Sequence, residues 1–358
     1  MGFDPHYVLQ APRLPSPWDM MVILIISPLK RALCLALIGL GSVAYAEKDA
    51  PAYQATPIYV ANQNPFVQIF GLPKPEPGTI TPKGRLDAGF LYYVSNNAIK
   101  NDDETLIWDG ETAQYNFRVR YGFSDQLELG VDVPFIDHSG GYLDSVIRQF
   151  HRMFGYPNDR QEQFDKNQIH YKVDEKGTGF EMQERQSGLG DIRFSAAIPL
   201  FSKSLHSQRY LALRPLLKLP TGDSQHLLGS GGTDVSMSLA YSDYETLGGI
   251  NTVLSANCGV IYMGNTKVLR GLQRHFAGYG GVSLDWLATK HLEFKLQLDM
   301  HSAFYESEFK QLGSSIQLLA GGTARLPGEV LLDLGMSQQV VTDSTPDLGL
   351  YLSLRHLF

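Results

Sequence analysis

The chain has 358 residues, with 30 Lys and Arg against 37 Asp and Glu and a hydrophobic content of 43%. A net charge of −7 argues against general nucleic-acid binding, and the hydrophobic content is too low for a bundle of membrane helices. The 35 glycines, 18 Tyr and 18 Phe lean the composition toward β structure, and two distant cysteines, Cys34 and Cys258, supply neither a disulfide framework nor a thiolate metal site.

Lys30 and Arg31 precede an apolar run from Ala32 to Val43 that closes on Ala44-Tyr45-Ala46, before the polar Glu47-Lys48-Asp49. This is the order of a cleavable export signal, and the run is too short and too glycine-interrupted, at Gly39 and Gly41, for a membrane span. Pro5, Pro12, Pro15 and Pro17 suit neither a signal nor a fold, so translation is expected to start at Met20 or Met21. Residues 1–46 are therefore read as an extension plus signal peptide, and the remainder as an exported, mildly acidic protein. Residues 47–82, rich in Pro and Asn, are expected to be extended and periplasmic. The reading leans to a linker; the alternative, a plug inside the following domain, rests on Phe66-Val67-Gln68-Ile69-Phe70, which is costly to leave in water.

Beyond residue 82 the hydrophobic period is two. Leu292, Phe294, Leu296, Leu298 and Met300 oppose Glu293, Lys295, Gln297 and Asp299, and the same alternation runs through Tyr115 to Phe123 and Leu127 to Phe135. About twelve strands are predicted, near 84–94, 112–122, 126–135, 188–200, 209–219, 233–242, 250–262, 277–288, 291–302, 313–325, 329–340 and 347–358. Each has the length of a tilted membrane-crossing strand, and short turns alternate with longer loops. That pattern predicts an all-β protein: a transmembrane antiparallel β-barrel over 83–358, in the bacterial outer membrane, with both termini periplasmic. The last strand carries Leu350, Leu352, Leu354 and terminal Phe358, which resembles the signal read by barrel-assembly machinery, although His356 stands where an aromatic is usual.

Alternation alone does not separate a soluble sandwich from a barrel. Tyr92, Tyr121, Phe123, Phe135, Tyr241, Tyr262 and Trp286 on the apolar phase near strand ends fit interface girdles, so the apolar face is assigned to lipid. The polar phase then faces a lumen, where Arg118, Arg120, Glu128, Asp132, Arg193, Arg214, Glu293, Lys295 and Asp299 are expected. The signs nearly cancel across this face, which argues against strong ion selectivity and allows either a pore lining or braces across the lumen.

The loop over about 136–187 carries Leu143, Ile147, Phe150 and Phe154 at helical spacing, so a short amphipathic helix is expected there. Catalytic signals are thin. Asp137-His138-Ser139 is the one tempting cluster, yet neighbours on a strand point to opposite faces. Gly188-Leu189-Gly190-Asp191 and the glycine-rich stretch 229–234 lack the spacing of nucleotide loops, and Asp223 with Asp234 offers at most a weak cation site. No cofactor or resident metal is expected.

Asn62 to Pro73, His138 to Asp144, Phe150-His151 with Phe154-Gly155-Tyr156-Pro157, and Gly188 to Asp191 resemble an uncharacterised family of proteobacterial outer-membrane proteins catalogued as a domain of unknown function. Leu219-Pro220-Thr221-Gly222-Asp223 is similar to a turn in barrels grouped with meta-pathway phenol degradation, which implies passage of hydrophobic small molecules. The expected function is a non-enzymatic, passive channel or facilitator for small uncharged or hydrophobic solutes. The alternatives are a surface lipid or ester hydrolase using Ser139 and His138, or a structural barrel with a closed lumen. Expected partners are outer-membrane lipid, the assembly machinery and a small solute, with no nucleic acid.

Overall fold

The computed structural model describes residues 55–141, 143, 167–201, 208–340 and 344–358. Fifteen strands are present: β1 (Leu86–Lys100), β2 (Leu106–Ser124), β3 (Leu127–Ser139), β4 (His170–Glu175), β5 (Thr178–Met182), β6 (Gln186–Leu189), β7 (Arg193–Phe201), β8 (Arg209–Lys218), β9 (Asp234–Asp243), β10 (Thr252–Met263), β11 (Phe276–Leu287), β12 (Leu292–His301), β13 (Ser315–Leu326), β14 (Val330–Gln339) and β15 (Leu348–Leu357). Twelve of them form the wall, each antiparallel to its neighbours in the order β1-β2-β3-β7 and then consecutively to β15. Closure is made by β1: Phe90 faces Phe117 of β2 on one side and Leu354 of β15 on the other. A closed sheet leaves no unpaired edge in the hydrocarbon, the condition a membrane imposes on strands.

The alternation expected from sequence sorts onto two faces. Phe117, Phe194, Met237, Leu296 and Leu352 point outward and are exposed, whereas Arg118, Arg120, Asp132, Lys218 and Lys295 point inward and are buried. Large apolar side chains on the outside with charges on the inside invert the soluble pattern, and lipid is the solvent that makes this arrangement favourable. Leu350, Leu352, Leu354 and Phe358 lie on the outward face. Of the seven expected girdle aromatics, Tyr121, Phe123, Phe135 and Tyr262 are exposed, and Tyr92, Tyr241 and Trp286 are half-buried.

Two connections differ from expectation. The loop anticipated over 95–111 is mostly strand: β1 and β2 run on through Lys100↔Ile107, leaving only 101–105 as a turn. Within 136–187, β4 and β5 form a hairpin through Lys176 and Gly177, both at positive φ, and β4 pairs with the upper part of β2 through Trp108↔Tyr171. The alternation of Tyr171 and Val173 was present in the sequence, but with its outward positions polar it read as loop. The amphipathic helix expected from Leu143 to Phe154 lies outside the described residues, save for Leu143, as do the signal peptide and residues 47–54. Among the described residues Leu143 is helical, and the remaining helical elements are four three-residue 3-10 turns, such as Ser224–His226.

Two glycines fit the wall to its interior. A Cβ on Gly349 would collide with the Tyr93 hydroxyl, and one on Gly335 with the Tyr351 ring. Tyr93 and Tyr351 are inward-facing and buried, and they close over the neighbouring strands as part of a cluster with Leu91, Leu319, Ile58 and Val60.

Candidate functional site in the barrel lumen

Residues 55–82 contain no strand, yet most are buried, because they run along the inner face of the barrel. The segment rises from the short-turn end, where Lys295 donates to the Thr56 carbonyl (2.6 Å), and turns beneath the long loops between Asn64 and Phe70. It then descends to Thr81, whose N–H donates to Glu128 (2.6 Å), and enters β1. Seven prolines between residues 51 and 82 keep it extended and deprive it of backbone donors, so its carbonyls must be met by side chains.

The inward charges do this. Gln297 accepts from the Ile58 N–H (2.7 Å) and donates to its carbonyl (3.1 Å), as a strand neighbour would. Arg193 donates to the carbonyls of Gln68 and Phe70, both at 3.1 Å, and Lys218 to that of Ile69. Asp234 accepts from the Gly71 N–H (2.8 Å), and Arg214 donates to the carbonyls of Pro77 and Thr79. The wall thus hydrogen-bonds a chain that has no ladder of its own.

Charge is matched as closely. Glu76 of the segment lies 2.7 Å from Arg120 and 3.5 and 3.6 Å from Arg118 and Arg214. Arg120 also pairs with Asp132 (2.8 Å), Arg214 with Glu128 (3.0 Å), and Arg118 with Asp87 (3.3 Å). Burial alone would raise the Glu76 carboxyl, but the guanidinium groups of Arg120, Arg214 and Arg118 outweigh it and hold it below the ordinary carboxylate range. A second cluster joins Arg325 and Lys295 to Glu293, and Lys295 and Arg355 to Asp333. In a third, Lys218 bridges Asp191 (2.7 Å) and Asp234 (3.0 Å). An unpaired buried charge costs several kcal/mol, roughly the scale that makes such pairing obligatory where water is displaced.

At the top of the segment the chemistry changes. Phe66 stacks on Trp108 at 5.4 Å and meets Phe180 edge-on at 5.5 Å, while Phe70 packs against Phe304 and Tyr305. The Tyr305 hydroxyl donates to the Phe66 carbonyl (2.8 Å), and the Asn64 amide donates to the carbonyls of Gln311 and Ser344. The long loops thus close over the segment's apolar turn.

Of the nine inward residues anticipated from sequence, eight are buried and Asp299 is half-buried; Arg118, Arg120, Glu128, Asp132, Arg193, Arg214 and Lys295 contact the segment or its partners directly. Missed were the groups on the segment itself: Tyr59, whose hydroxyl donates to Asp132 (2.8 Å), Lys74 and Glu76. A signal was available, since Lys74 and Glu76 are the only charges between residues 55 and 82. Elsewhere, His138 is buried with one ring nitrogen 2.9 Å from the Thr112 hydroxyl and the other 3.2 Å from the Leu227 carbonyl; Ser139 is not among its partners. Asp223 is engaged by Gln225 and His226, and Asp234 by Lys218, so the two are not brought together as a cation site.

The fold and the filled lumen define a class: a twelve-stranded antiparallel barrel of the outer-membrane type, occupied by its own N-terminal segment. The chain belongs to the family described as Protein of unknown function (DUF3187), whose pattern matches residues 34–358. Among solved structures it is similar to the COG4313 outer membrane channel from Pseudomonas putida F1, with 11% identity over 79% of this chain and 99% of that one, at a TM-score of 0.52. The toluene transporter TbuX of Ralstonia pickettii aligns at a TM-score of 0.41 and 8% identity, over 85% of this chain and 96% of its own. At these identities the likeness concerns the fold. No similar sequence is found among functionally curated proteins.

Proposed function

We propose that this protein is a passive outer-membrane channel or facilitator for small uncharged or hydrophobic solutes, with residues 55–82 as its stopper and both termini in the periplasm. The observation that carries this reading is the way the lumen is filled. The stopper is a single extended strip held by side-chain hydrogen bonds and ion pairs, with no strand pairing to the wall, so it can leave without breaking the barrel. The wall charges neutralise one another, which disfavours selection of either ion sign and leaves uncharged solutes as the natural cargo. The Pseudomonas putida protein of similar fold is named as a channel. A hydrolase reading finds no support at His138, whose ring is engaged by Thr112 and the Leu227 carbonyl; Ser139→Ala is expected to leave any measured esterase background unchanged.

The test is conductance in planar bilayers, after heat-dependent gel mobility has shown a folded barrel. Wild-type protein is expected to stay closed with brief openings, and a chain lacking 55–80 to show long-lived openings. Equal conductance from two equally folded proteins would remove the stopper from the account.

A further inference from the structure

The β4–β5 hairpin leaves the wall at one place and is caught at another far from it. Its only strand partner is the upper part of β2, which pairs with β4 from Leu106↔Val173 to Asp109↔His170, and β5 has no strand on its other edge among the described residues. Lys176 and Gly177, both at positive φ, turn the chain in two residues and make a narrow tip. The Glu175 carboxylate at that tip accepts from the Ser307 hydroxyl and from the Glu308 N–H (2.9 Å). Lys176 lies 3.3 Å from Glu175 and 3.5 Å from Glu308, and Thr178 lies against Gly271. These partners belong to the β12–β13 and β10–β11 loops. In the wall order β11 is six strands from β2 in either direction, so the hairpin crosses the mouth of the barrel from one side to the opposite one.

Its underside is apolar. Tyr171, Val173 and Met182 are buried in the same cluster as Phe66 and Phe70, and the Phe180 ring meets Phe66 edge-on at 5.5 Å. The hairpin therefore roofs the turn of the inserted segment. The hold on its far side is polar and narrow. Lys176 and Glu308 are exposed, where ion pairs contribute little, and Glu175 is the buried group whose hydrogen bonds carry the contact. One strand-paired edge, a dry underside and a single buried carboxylate at the tip are the parts of a flap with a latch.

We propose that the β4–β5 hairpin is a lid over the lumen, latched by Glu175 onto the β12–β13 loop, and that it lifts off that loop to admit water or solute to the apolar turn around Phe66. The lid itself is independent of the channel reading; only its effect on conductance rests on that reading.

The geometry supplies a reversible lock. A Cβ on Gly271 would lie 3.6 Å from the Thr178 Cβ, a separation that suits a disulfide. Thr178→Cys with Gly271→Cys, in a full-length chain carrying Cys34→Ser and Cys258→Ser, should tie the tip to the far side of the mouth when oxidised and free it when reduced. Trp18→Phe and Trp286→Phe leave Trp108 as the one tryptophan, wholly buried in the cluster the hairpin roofs and stacked on Phe66. Acrylamide quenching of its fluorescence then reads lid opening without any current, with heat-dependent gel mobility confirming that each variant is folded. Oxidation is expected to lower the quenching constant several-fold and dithiothreitol to restore it. Glu175→Ala, without the added cysteines, should raise it roughly tenfold, the scale of lost hydrogen bonds to a charged group. The proposal is overturned if the folded barrel forms no cross-link, if quenching is the same oxidised and reduced, or if Glu175→Ala leaves it unchanged. In planar bilayers the brief openings should vanish on oxidation and return on reduction. A chain whose quenching responds in this way but which never opens, oxidised or reduced, would keep the lid and remove the channel reading.

Discussion

Glu76 lies 2.7 Å from Arg120, and this contact ties a segment without strand structure to the second strand of the barrel. The same carboxylate reaches Arg118 and Arg214, so a single acidic group on the segment answers three guanidinium groups on the wall. Glu76→Gln removes that charge from among three buried cations. By the usual cost of breaking a buried pair, docking should weaken by about 3–5 kcal/mol. Single-channel open probability should rise accordingly while the barrel's heat-dependent mobility stays unchanged; an open probability equal to wild type would show that Glu76 does not latch the segment.

The Lys74 ammonium predicts a pH dependence. Burial pushes it down to about 7 from an ordinary 10.5, with Asp132 of β3 opposing only in part and Arg193 of β7 and Arg120 and Arg118 of β2 adding to the fall. A lowered value for the docked lysine means that the undocked segment holds the extra proton between these two limits. Docking therefore strengthens as pH rises from about 7 toward 10.5, by up to about tenfold per pH unit, and is weakest and flat below 7. Open probability should fall between pH 7 and 9 in wild type, and Lys74→Met should abolish that slope. A slope that survives the substitution assigns it to another group.

The apolar turn of the segment carries a different share of its stability. Phe66 is wholly buried between Trp108 and Phe180, and Phe66→Ala should cost about 3–5 kcal/mol by the usual scale for emptying an aromatic core position. Limited proteolysis is the readout: cleavage within 55–82 should accelerate while the wall remains resistant. Unchanged cleavage would mean that the ion pairs alone hold the segment.

Gly349 tests the wall itself. Tyr93 lies over it, with its hydroxyl 2.7 Å from that of Ser337 on β14. Gly349→Ala forces the Tyr93 ring away, and overpacking of this kind costs about 1–3 kcal/mol. The temperature at which the folded band is lost on gels should fall in the variant. Tyr93→Phe, which keeps the ring and loses only the hydroxyl, should lower it less; the reverse order would place the stabilisation in the hydrogen bond.

The wall was legible in the sequence because the membrane imposes a strict rule. Leu292, Phe294 and Leu296 must meet lipid, and Glu293, Lys295 and Gln297 must not, so period-two alternation determines strand positions and the identity of each face. Strands above the hydrocarbon escape that rule. The upper halves of β1 and β2 and the β4–β5 hairpin have Trp108, Tyr171 and Val173 on their buried side without a lipid-facing apolar row opposite, and they read as loop. What the inward charges bind was open to tertiary structure alone. That Arg193 or Gln297 points into the lumen follows from its place on a strand, but an inward side chain can meet water, a charge on the opposite wall or another piece of chain. The sequence carried Lys74, Glu76 and the Phe66–Phe70 stretch with no local period to place them. Only closure of the barrel to its particular diameter brought Glu76 to Arg120, met the carbonyls of Gln68 and Phe70 with Arg193, and set Lys74 over the Tyr59 ring that Arg118 and Arg120 also face.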